Sequence, residues 1–255
     1  MIIHRILRYG LAGLLAVLPT ALMRLPANAC GHRIAKGARI GLSLVLADRI
    51  VMAPTARIGH LSVLRVRRVV MRDKARVGHL NMCKGPFSIQ LMHRAAIGHR
   101  NTVTRAPRGV TYGPSRFYLG DLSKITASHS VDMTRSVRFG HFTTLAGKGS
   151  QIWSHGYVHD VQGEGRYRVD GPVMLGDNVY VGSGAIITGG VTLGDQVIVG
   201  AGVTVSKSLS QPGMYVSAPM RMINRPTSPQ TRADMTQVAA PGLVETVYVK
   251  AHAPD

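Results

Sequence analysis

A strict six-residue repeat across residues 175–205 constrains the fold of this chain more than any other feature. An aliphatic residue opens each of five hexads, and a glycine follows it in four of them. The opening residues are Leu175, Val181, Ile187, Leu193 and Val199. A helix repeats every ~3.6 residues and a strand every ~2, so neither gives a repeat of six, whereas a parallel β-helix of short flat strands does.

The repeat also predicts how the side chains stack. Three hexads make one triangular coil of eighteen residues, so Leu175 is expected to lie under Leu193 and Val181 under Val199. Only 5% of the residues are aromatic and 29 are glycine, which suits a narrow aliphatic core with many tight corners. We therefore predict an all-β chain, folded as a parallel β-helix.

A weaker form of the repeat extends towards the N-terminus. A motif of Ala, any residue, Ile or Val, and Gly recurs four times, and its aliphatic residues are 18, 19 and 20 positions apart. These residues are Ile40, Ile58, Val77 and Ile97. A histidine follows the motif glycine at positions 60, 79 and 99. A ladder of histidines can bind a metal, but the place after a corner glycine favours an exposed turn, so we assign no metal ligand.

The pattern divides the chain into three parts. Residues 1–30 are predicted as an amphipathic or hydrophobic helix, residues 31–225 as the β-helix domain, and residues 226–255 as a mobile C-terminal tail. Two stretches break the period, near 104–118 and 156–172, and are predicted as loops. The first is basic and aromatic, so it either contacts a glycan or only connects two coils.

The N-terminal segment has three possible interpretations. Basic residues, including Arg5 and Arg8, precede an apolar run, and residues 27–29 imitate a signal-peptidase site. Pro19 and Arg24 interrupt the run, which leaves it shorter than the ~20 residues of a membrane span. We expect a retained helix on the inner membrane face of a cytoplasmic protein; a cleaved export signal and a helix that caps the solenoid are the alternatives.

The charge predicts an anionic partner. The formal net charge is +19, from 31 basic and 12 acidic residues. Nucleic acid, an anionic membrane face, the phosphates of coenzyme A and an acidic glycan all fit this charge. No helix-turn-helix, RNA-recognition or zinc-finger spacing is present, so nucleic acid is not the expected partner. The two cysteines, Cys30 and Cys83, are too few for a disulfide framework and are expected to be idle or buried thiols in a reducing compartment.

Three segments carry a family resemblance. Residues 171–182, 200–208 and 217–223 resemble the hexapeptide-repeat acetyltransferases, most closely the sugar and polysaccharide O-acetyltransferases. The resemblance implies a left-handed β-helix, a homotrimer and acetyl-CoA as co-substrate. The expected reaction is transfer of an acetyl group to a hydroxyl of a polysaccharide or lipid-linked glycan, although N-acylation of an amino sugar stays open.

The same resemblance implies a catalytic base. A histidine precedes the protruding loop in these enzymes, and His155 matches it best, with His159 as the alternative. An imidazole is neutral enough near pH 7 to accept a proton from a sugar hydroxyl. Asp160, Glu164 or a backbone carbonyl is expected to fix its tautomer. A backbone N–H near Ser183 of a neighbouring chain is expected to meet the oxyanion.

The donor and acceptor contacts follow from the matched motifs. For coenzyme A the resemblance implies Ser183, Ala201, Ser206, Lys207 and Arg221. The two cations would meet its phosphates. For the acceptor sugar, Trp153 and Tyr180 are the candidates. Trp153 lies two residues before His155 and either stacks on a pyranose ring or only packs, and the family often has Trp where Tyr180 stands.

Two other functions remain open from the sequence. A zinc lyase of the γ-carbonic anhydrase type shares the β-helix and needs three histidines across a trimer interface, of which His155 and His159 would supply two. A non-catalytic basic scaffold would use charge alone. The motifs at 205–208 and 217–223 favour coenzyme A over both.

Overall fold

The structure, a computed structural model, describes residues 2–159, 161–217, 235–237 and 248–250. The chain forms two compact units, residues 1–217 and residues 218–255. The second unit contains a two-stranded antiparallel pairing of Met235–Gln237 with Tyr248–Lys250. The predicted end of the β-helix near Ile223 and most of the predicted tail lie outside the described residues.

The first unit begins with two helices, α1 (Ile2–Val17) and α2 (Thr20–Ala29). Twenty-five short strands follow. They are β1 Arg33–Ile34, β2 Arg39–Ile40, β3 Leu44–Met52, β4 Arg57–Ile58, β5 Val63–Met71, β6 Arg76–Val77, β7 Met82–Lys84, β8 Ser88–Leu91, β9 Ala96–His99, β10 Thr102–Thr104, β11 Arg116–Leu119, β12 Lys124–Ala127, β13 Ser130–Asp132, β14 Val137–Phe139, β15 Thr144–Lys148, β16 Gln151–Ile152, β17 His155–His159, β18 Arg166–Asp170, β19 Val173–Leu175, β20 Tyr180–Val181, β21 Ile186–Ile187, β22 Thr192–Leu193, β23 Val197–Val199, β24 Thr204–Val205 and β25 Gly213–Tyr215.

The strands stack into the three faces of a parallel β-helix, which confirms the predicted fold class. The first face contains β1, the ends of β3 and β5, and then β8, β11, β14, β19 and β22. The second contains β2, β4, β6, β9, β12, β15, β20, β23 and β25. The third contains the beginnings of β3 and β5, and then β7, β10, β13, β16, β21 and β24. All these pairings are parallel, and the long strands β3 and β5 bend around the corner between the third and first faces.

One buried aliphatic or aromatic rib runs along the inside of each face. Leu175 pairs with Leu193 and Val181 with Val199, as the eighteen-residue coil predicts. The motif residues Ile40, Ile58, Val77 and Ile97 are consecutive members of the second rib and at most 6% exposed. Burial of each such side chain stabilises the fold by about 1.5–3 kcal/mol, so the ribs hold the solenoid together.

The repeated histidines form a ladder at one exposed corner. Nδ1 of His60 accepts the backbone N–H of Leu42 at 3.2 Å, and His79 and His99 accept the N–H of the preceding histidine at 3.0 Å each. Their rings stack with centroids 5.4 and 5.2 Å apart. These side chains therefore satisfy backbone donors at a turn, which agrees with the exposed position predicted for them.

Helix α2 covers the first coil of the solenoid. The Thr20 hydroxyl accepts the N–H of Ile40 at 2.7 Å and donates to its carbonyl at 3.0 Å. The Asn28 amide does the same for Ile34, at 2.7 and 3.1 Å. An open sheet edge leaves such groups unpaired, so the two side chains act as substitutes for a preceding coil. This is the capping interpretation of the N-terminal segment, and cleavage after Ala29 would remove both caps.

The opposite side of the helices is apolar and exposed. Leu14 is 48% exposed, Val17 66%, Leu22 68% and Leu25 66%. The sequence pattern predicts one helical segment here, whereas the structure has two because Pro19 separates them. Within the described residues, neither helix is long and apolar enough to cross a bilayer.

The two cysteines differ in environment. Cys83 belongs to the third rib and is fully buried, and this burial raises the pKa of its thiol to about 12. Cys30, at the end of α2, is exposed. Both thiols are free. Burial of Cys83 agrees with the expectation of idle or buried thiols, and Cys30 is free but not buried.

Candidate functional site

A β-hairpin projects from the corner that follows the third face. Residues 156–172 do leave the coil, but the prediction of an irregular loop is wrong, because β17 and β18 pair antiparallel from His155↔Asp170 to His159↔Arg166. The hairpin leaves directly after β16 and returns at β19. It therefore places His155 at the junction between the hairpin and the solenoid wall.

The hairpin is bonded to the loop at 105–115, the other segment that leaves the regular coils. Arg168 forms an ion pair with Asp170, with Nε–Oδ1 2.6 Å and Nη2–Oδ2 3.0 Å, and this hydrogen-bonded carboxylate raises the pKa of the guanidinium. Its Nη1 donates to the carbonyl of Val110 at 2.6 Å. The loop at 105–115, which lies between β10 and β11, thus braces the base of the hairpin.

Asp132 holds the imidazole of His155. Nδ1 of His155 lies 2.8 Å from Oδ2 of Asp132 and 3.1 Å from the Thr134 hydroxyl. An ionised carboxylate only accepts hydrogen bonds, so the network assigns the proton to Nδ1 and leaves the lone pair on Nε2. Both hydrogen bonds of this ring within the described part of the chain use Nδ1. The free nitrogen is therefore the one suited to accept a proton.

The carboxylate of Asp132 is itself fully bonded. Ser154 donates to Oδ2 from its hydroxyl at 2.6 Å and from its backbone N–H at 3.0 Å, and Thr134 donates to Oδ1 from its hydroxyl at 2.9 Å. Burial raises the pKa of Asp132, but the hydrogen bonds from Ser154, His155 and Thr134 outweigh burial and hold it below its ordinary value. Asp132 is therefore a charged and rigid partner for the imidazole.

His155 borders a cleft of about 550 Å³ on the outside of the third face. Trp153, Lys84 and Thr104 are among its other lining residues. The rings of Trp153 and Tyr157 approach the imidazole edge-to-face, with centroids 6.3 and 5.9 Å away. Trp153 is 42% exposed, so an aromatic surface borders the imidazole at the solvent side of the cleft.

Two of the residues predicted to contact coenzyme A lie at the same corner of the solenoid as His155. The strands β16, β21 and β24 are stacked in register. Ser206 and Lys207, which follow β24, therefore occupy the same corner positions as Trp153 and Ser154, which follow β16. They lie two coils further on, which is about 10 Å at ~4.8 Å per strand. Both are exposed.

The other predicted contacts lie elsewhere on the chain. Ser183 and Ala201 follow β20 and β23, at the corner between the second and third faces, and Tyr180 lies on the second face. The Ser183 hydroxyl accepts the N–H of Lys148 at 3.1 Å. A single chain therefore does not bring these three residues to His155. Arg221 lies outside the described residues.

The alternative base is placed differently. His159 lies on β17 four residues beyond His155, with an exposed side chain. Glu164, one predicted partner of the imidazole, is also exposed, and Asp160 lies outside the described residues. In the described structure the partner of His155 is Asp132, which the sequence analysis missed.

Within the described part of this single chain, there is no group of three or more His, Cys, Asp or Glu residues that can hold a metal ion.

The comparisons with known proteins agree with the repeat. The sequence profile described as "Bacterial transferase hexapeptide (six repeats)" matches residues 172–207. Residues 172–207 are therefore hexapeptide repeats of that type. The matched stretch covers β19 to β24, the coils that follow the His155 hairpin. The search of curated proteins finds no match.

Several solved structures resemble this chain at low sequence identity. One is a hexapeptide-repeat acetyltransferase of Vibrio cholerae O1 biovar eltor in complex with acetyl coenzyme A, at 20% identity, covering 53% of this chain and 69% of that one, with a TM-score of 0.41. A second is the polySia-specific acetyltransferase NeuO, at 15% identity, covering 79% and 93%, with a TM-score of 0.40. A third is a variant of the N-acyltransferase AntD of Bacillus cereus with dTDP-4-amino-4,6-dideoxyglucose and coenzyme A, at 16% identity, covering 81% and 91%, with a TM-score of 0.38.

Proposed function

We propose that this protein is an acetyl-CoA-dependent O-acetyltransferase that modifies a hydroxyl of a saccharide, with His155 as the general base. The observation that carries the proposal is the Asp132–His155 pair, 2.8 Å apart, at a cleft immediately before the hexapeptide coils. Such a pair leaves one imidazole nitrogen available for proton transfer.

The proposed reaction is a direct transfer between two bound substrates. Nε2 of His155 accepts the proton of the acceptor hydroxyl while that oxygen attacks the thioester carbonyl. Asp132 stabilises the imidazolium that forms, because its carboxylate lies 2.8 Å from Nδ1. The thioester C–S bond then breaks, and the imidazolium returns its proton to the departing thiolate. No acyl group is attached to the protein at any step.

The donor is proposed to lie along the coils that follow His155. Lys207 shares the His155 corner and supplies a fixed positive charge for the phosphates of acetyl-CoA. Ser183 and Ala201 lie on another corner, so their proposed contacts require a neighbouring subunit. For this reason we propose a homotrimer, in which each cleft is shared by two chains.

The test is acetyl transfer by the wild-type protein to a panel of neutral and acidic saccharides and amino sugars. We expect release of free thiol that depends on the acceptor, and an acetyl ester in the product by mass spectrometry. Sedimentation of the same preparation is expected to give the mass of three chains of 27.4 kDa. An acetyl amide formed only with amino sugars would replace O-acetylation by N-acylation, and no acceptor-dependent release would refute the proposal.

We further propose that the helices bring the enzyme to an anionic membrane surface. Leu22 and Leu25 are 68% and 66% exposed on α2, next to Arg24. Amphipathic helices bind such surfaces by burying apolar side chains beside basic ones. The double change Leu22→Gln with Leu25→Gln should weaken binding to phosphatidylglycerol vesicles by roughly ten-fold or more.

The matched control for membrane binding is the double change Leu61→Gln with Leu80→Gln. These leucines are also exposed, at 67% and 45%, but lie on the solenoid. Vesicle co-sedimentation should give wild-type binding for the control. Equal binding by both double variants would contradict the proposed helix surface.

A further inference from the structure

A second cavity, of about 450 Å³, adjoins the cleft of His155 and is lined by arginines. Arg67, Arg105 and Arg108 all line it, and Arg105 also lines the cleft. The guanidinium of Arg135 stacks over the ring of Tyr112, another lining residue, at 4.9 Å. We call this space the arginine cavity. Three arginines thus line the cavity, and a fourth contacts its wall, beside one candidate active site.

Arg105 is buried without a carboxylate partner. It is 7% exposed, its Nη1 donates to the carbonyl of Pro86 at 2.8 Å, and its Nη2 donates to those of Tyr112 and Gly113 at 2.8 and 3.0 Å. Its Nε, also buried, has no hydrogen-bond partner. Carbonyl oxygens fix the guanidinium in place but carry no negative charge to neutralise it.

The neighbouring cations are equally unpaired. Among the described residues, a carboxylate lies within ion-pair distance of Arg168. The three arginines that line the cavity and the neighbouring Arg135 have no such partner within the same residues. Burial lowers the pKa of Arg105, and the charges of Arg135 and Arg67 lower it further. The carboxylates of Asp132 and Asp170 act in the opposite direction, but the pKa stays below its ordinary value. Like charges held together in this way repel one another, and a bound anion would relieve that repulsion.

The position of the cavity along the solenoid favours binding of the acceptor saccharide there rather than of acetyl-CoA. Arg105 follows β10, which lies two strands before β16 on the third face, whereas Lys207 follows β24, two strands after it. His155 lies between them. A donor on the later coils and an acceptor on the earlier ones would meet at its imidazole.

We propose that the arginine cavity binds an oxyanion of the acceptor, a carboxylate or a phosphate, and that it makes the enzyme selective for acidic saccharides. This inference rests on the proposed function and names its substrate class. Arginine suits the task because its planar guanidinium forms two parallel hydrogen bonds to carboxylate or phosphate.

Binding without the donor tests the inference separately from catalysis. Calorimetry would compare glucose, glucuronate and glucose 6-phosphate on the full-length protein. We expect at least one acidic probe to bind about ten-fold or more tightly than glucose, and the comparison of the two acids identifies the preferred group. Equal binding of all three, or binding of none, would overturn the inference and leave acetyl transfer itself untouched.

The variant is the double change Arg67→Gln with Arg108→Gln, since both side chains are exposed and their replacement spares the buried Arg105. The control is Arg76→Gln, an exposed arginine on the second face. The double variant should raise the KM for an acidic acceptor by roughly 10- to 100-fold and leave the KM for acetyl-CoA unchanged. If the KM for acetyl-CoA rises instead, the cavity serves the donor phosphates and the inference is wrong.

Discussion

Replacing His155 by alanine is expected to lower the rate of acetyl transfer by roughly 10²- to 10⁴-fold, the usual contribution of a positioned general base. The Nδ1 atom of this ring is held by Asp132 and Thr134, which leaves Nε2 as the basic atom. Loss of the base removes the proton acceptor but leaves the solenoid intact, because the side chain is outside the ribs. The measurement is kcat for transfer at saturating acetyl-CoA, with unfolding measured in parallel.

His159→Ala is the matched control for this change. It removes the same side chain from the same strand, four residues away and exposed to solvent. We expect kcat within a factor of a few of the wild type. A large loss in His159→Ala with little loss in His155→Ala would transfer the catalytic role to the alternative histidine and refute the mechanism proposed here.

The Asp132→Asn variant tests whether Asp132 orients the His155 imidazole or only stabilises the fold. An amide can donate to Nδ1 and so favour the tautomer that carries its proton on Nε2, where the base is needed. We expect a loss of kcat approaching that of His155→Ala and little change in the KM for acetyl-CoA. A merely structural Asp132 would give a variant of reduced stability with normal kcat per folded molecule.

The pH dependence of stability provides an independent check on Asp132. Because its pKa is lower in the folded protein than the ~3.9 of an unfolded chain, its stabilising contribution is complete above that unfolded value. The contribution is lost as the pH falls through the folded pKa. The difference in unfolding free energy between wild type and Asp132→Asn should therefore shrink below about pH 4.

The sequence could predict the buried ribs but not which residue is the hydrogen-bond partner of His155. Hexads repeat because each coil needs one apolar residue per face, so positions such as Val181 and Val199 can be paired by counting alone. The pair Asp132 and His155 is 23 residues apart, and its contact depends on where the chain slips at corners and where the hairpin leaves the coil. Such slips are set by tertiary packing and do not appear in the repeat.

One signal could still have pointed to Asp132. The chain has only 12 acidic residues against 31 basic ones, so an acidic residue that ends a strand of the solenoid is a notable feature. Asp132 ends β13, and the register Val131↔Ile152 brings it one coil below the corner of His155. The arginine cavity had a weaker signal, since the basic and aromatic character of 104–118 was visible but the burial of Arg105 was not.

Replacing Phe139 by alanine is expected to lower the free energy of unfolding by about 3–5 kcal/mol, as for other buried phenylalanines. Phe139 is fully buried in the first rib between Leu119 and Leu175. Its ring meets that of Phe117 edge-to-face, with centroids 6.2 Å apart. Truncation removes this contact and leaves a cavity that the flanking coils cannot close without breaking their strand pairing.

Phe142→Ala provides the matched comparison for Phe139→Ala, because the side chain of Phe142 is 56% exposed three residues further along the same coil. We expect its effect to stay within about 0.5 kcal/mol, as for most surface changes. Urea unfolding should show a lower midpoint for Phe139→Ala with an unchanged slope. If both variants lose the same stability, burial along the ribs does not determine the stability of the solenoid, and the position of the site on it loses its physical basis.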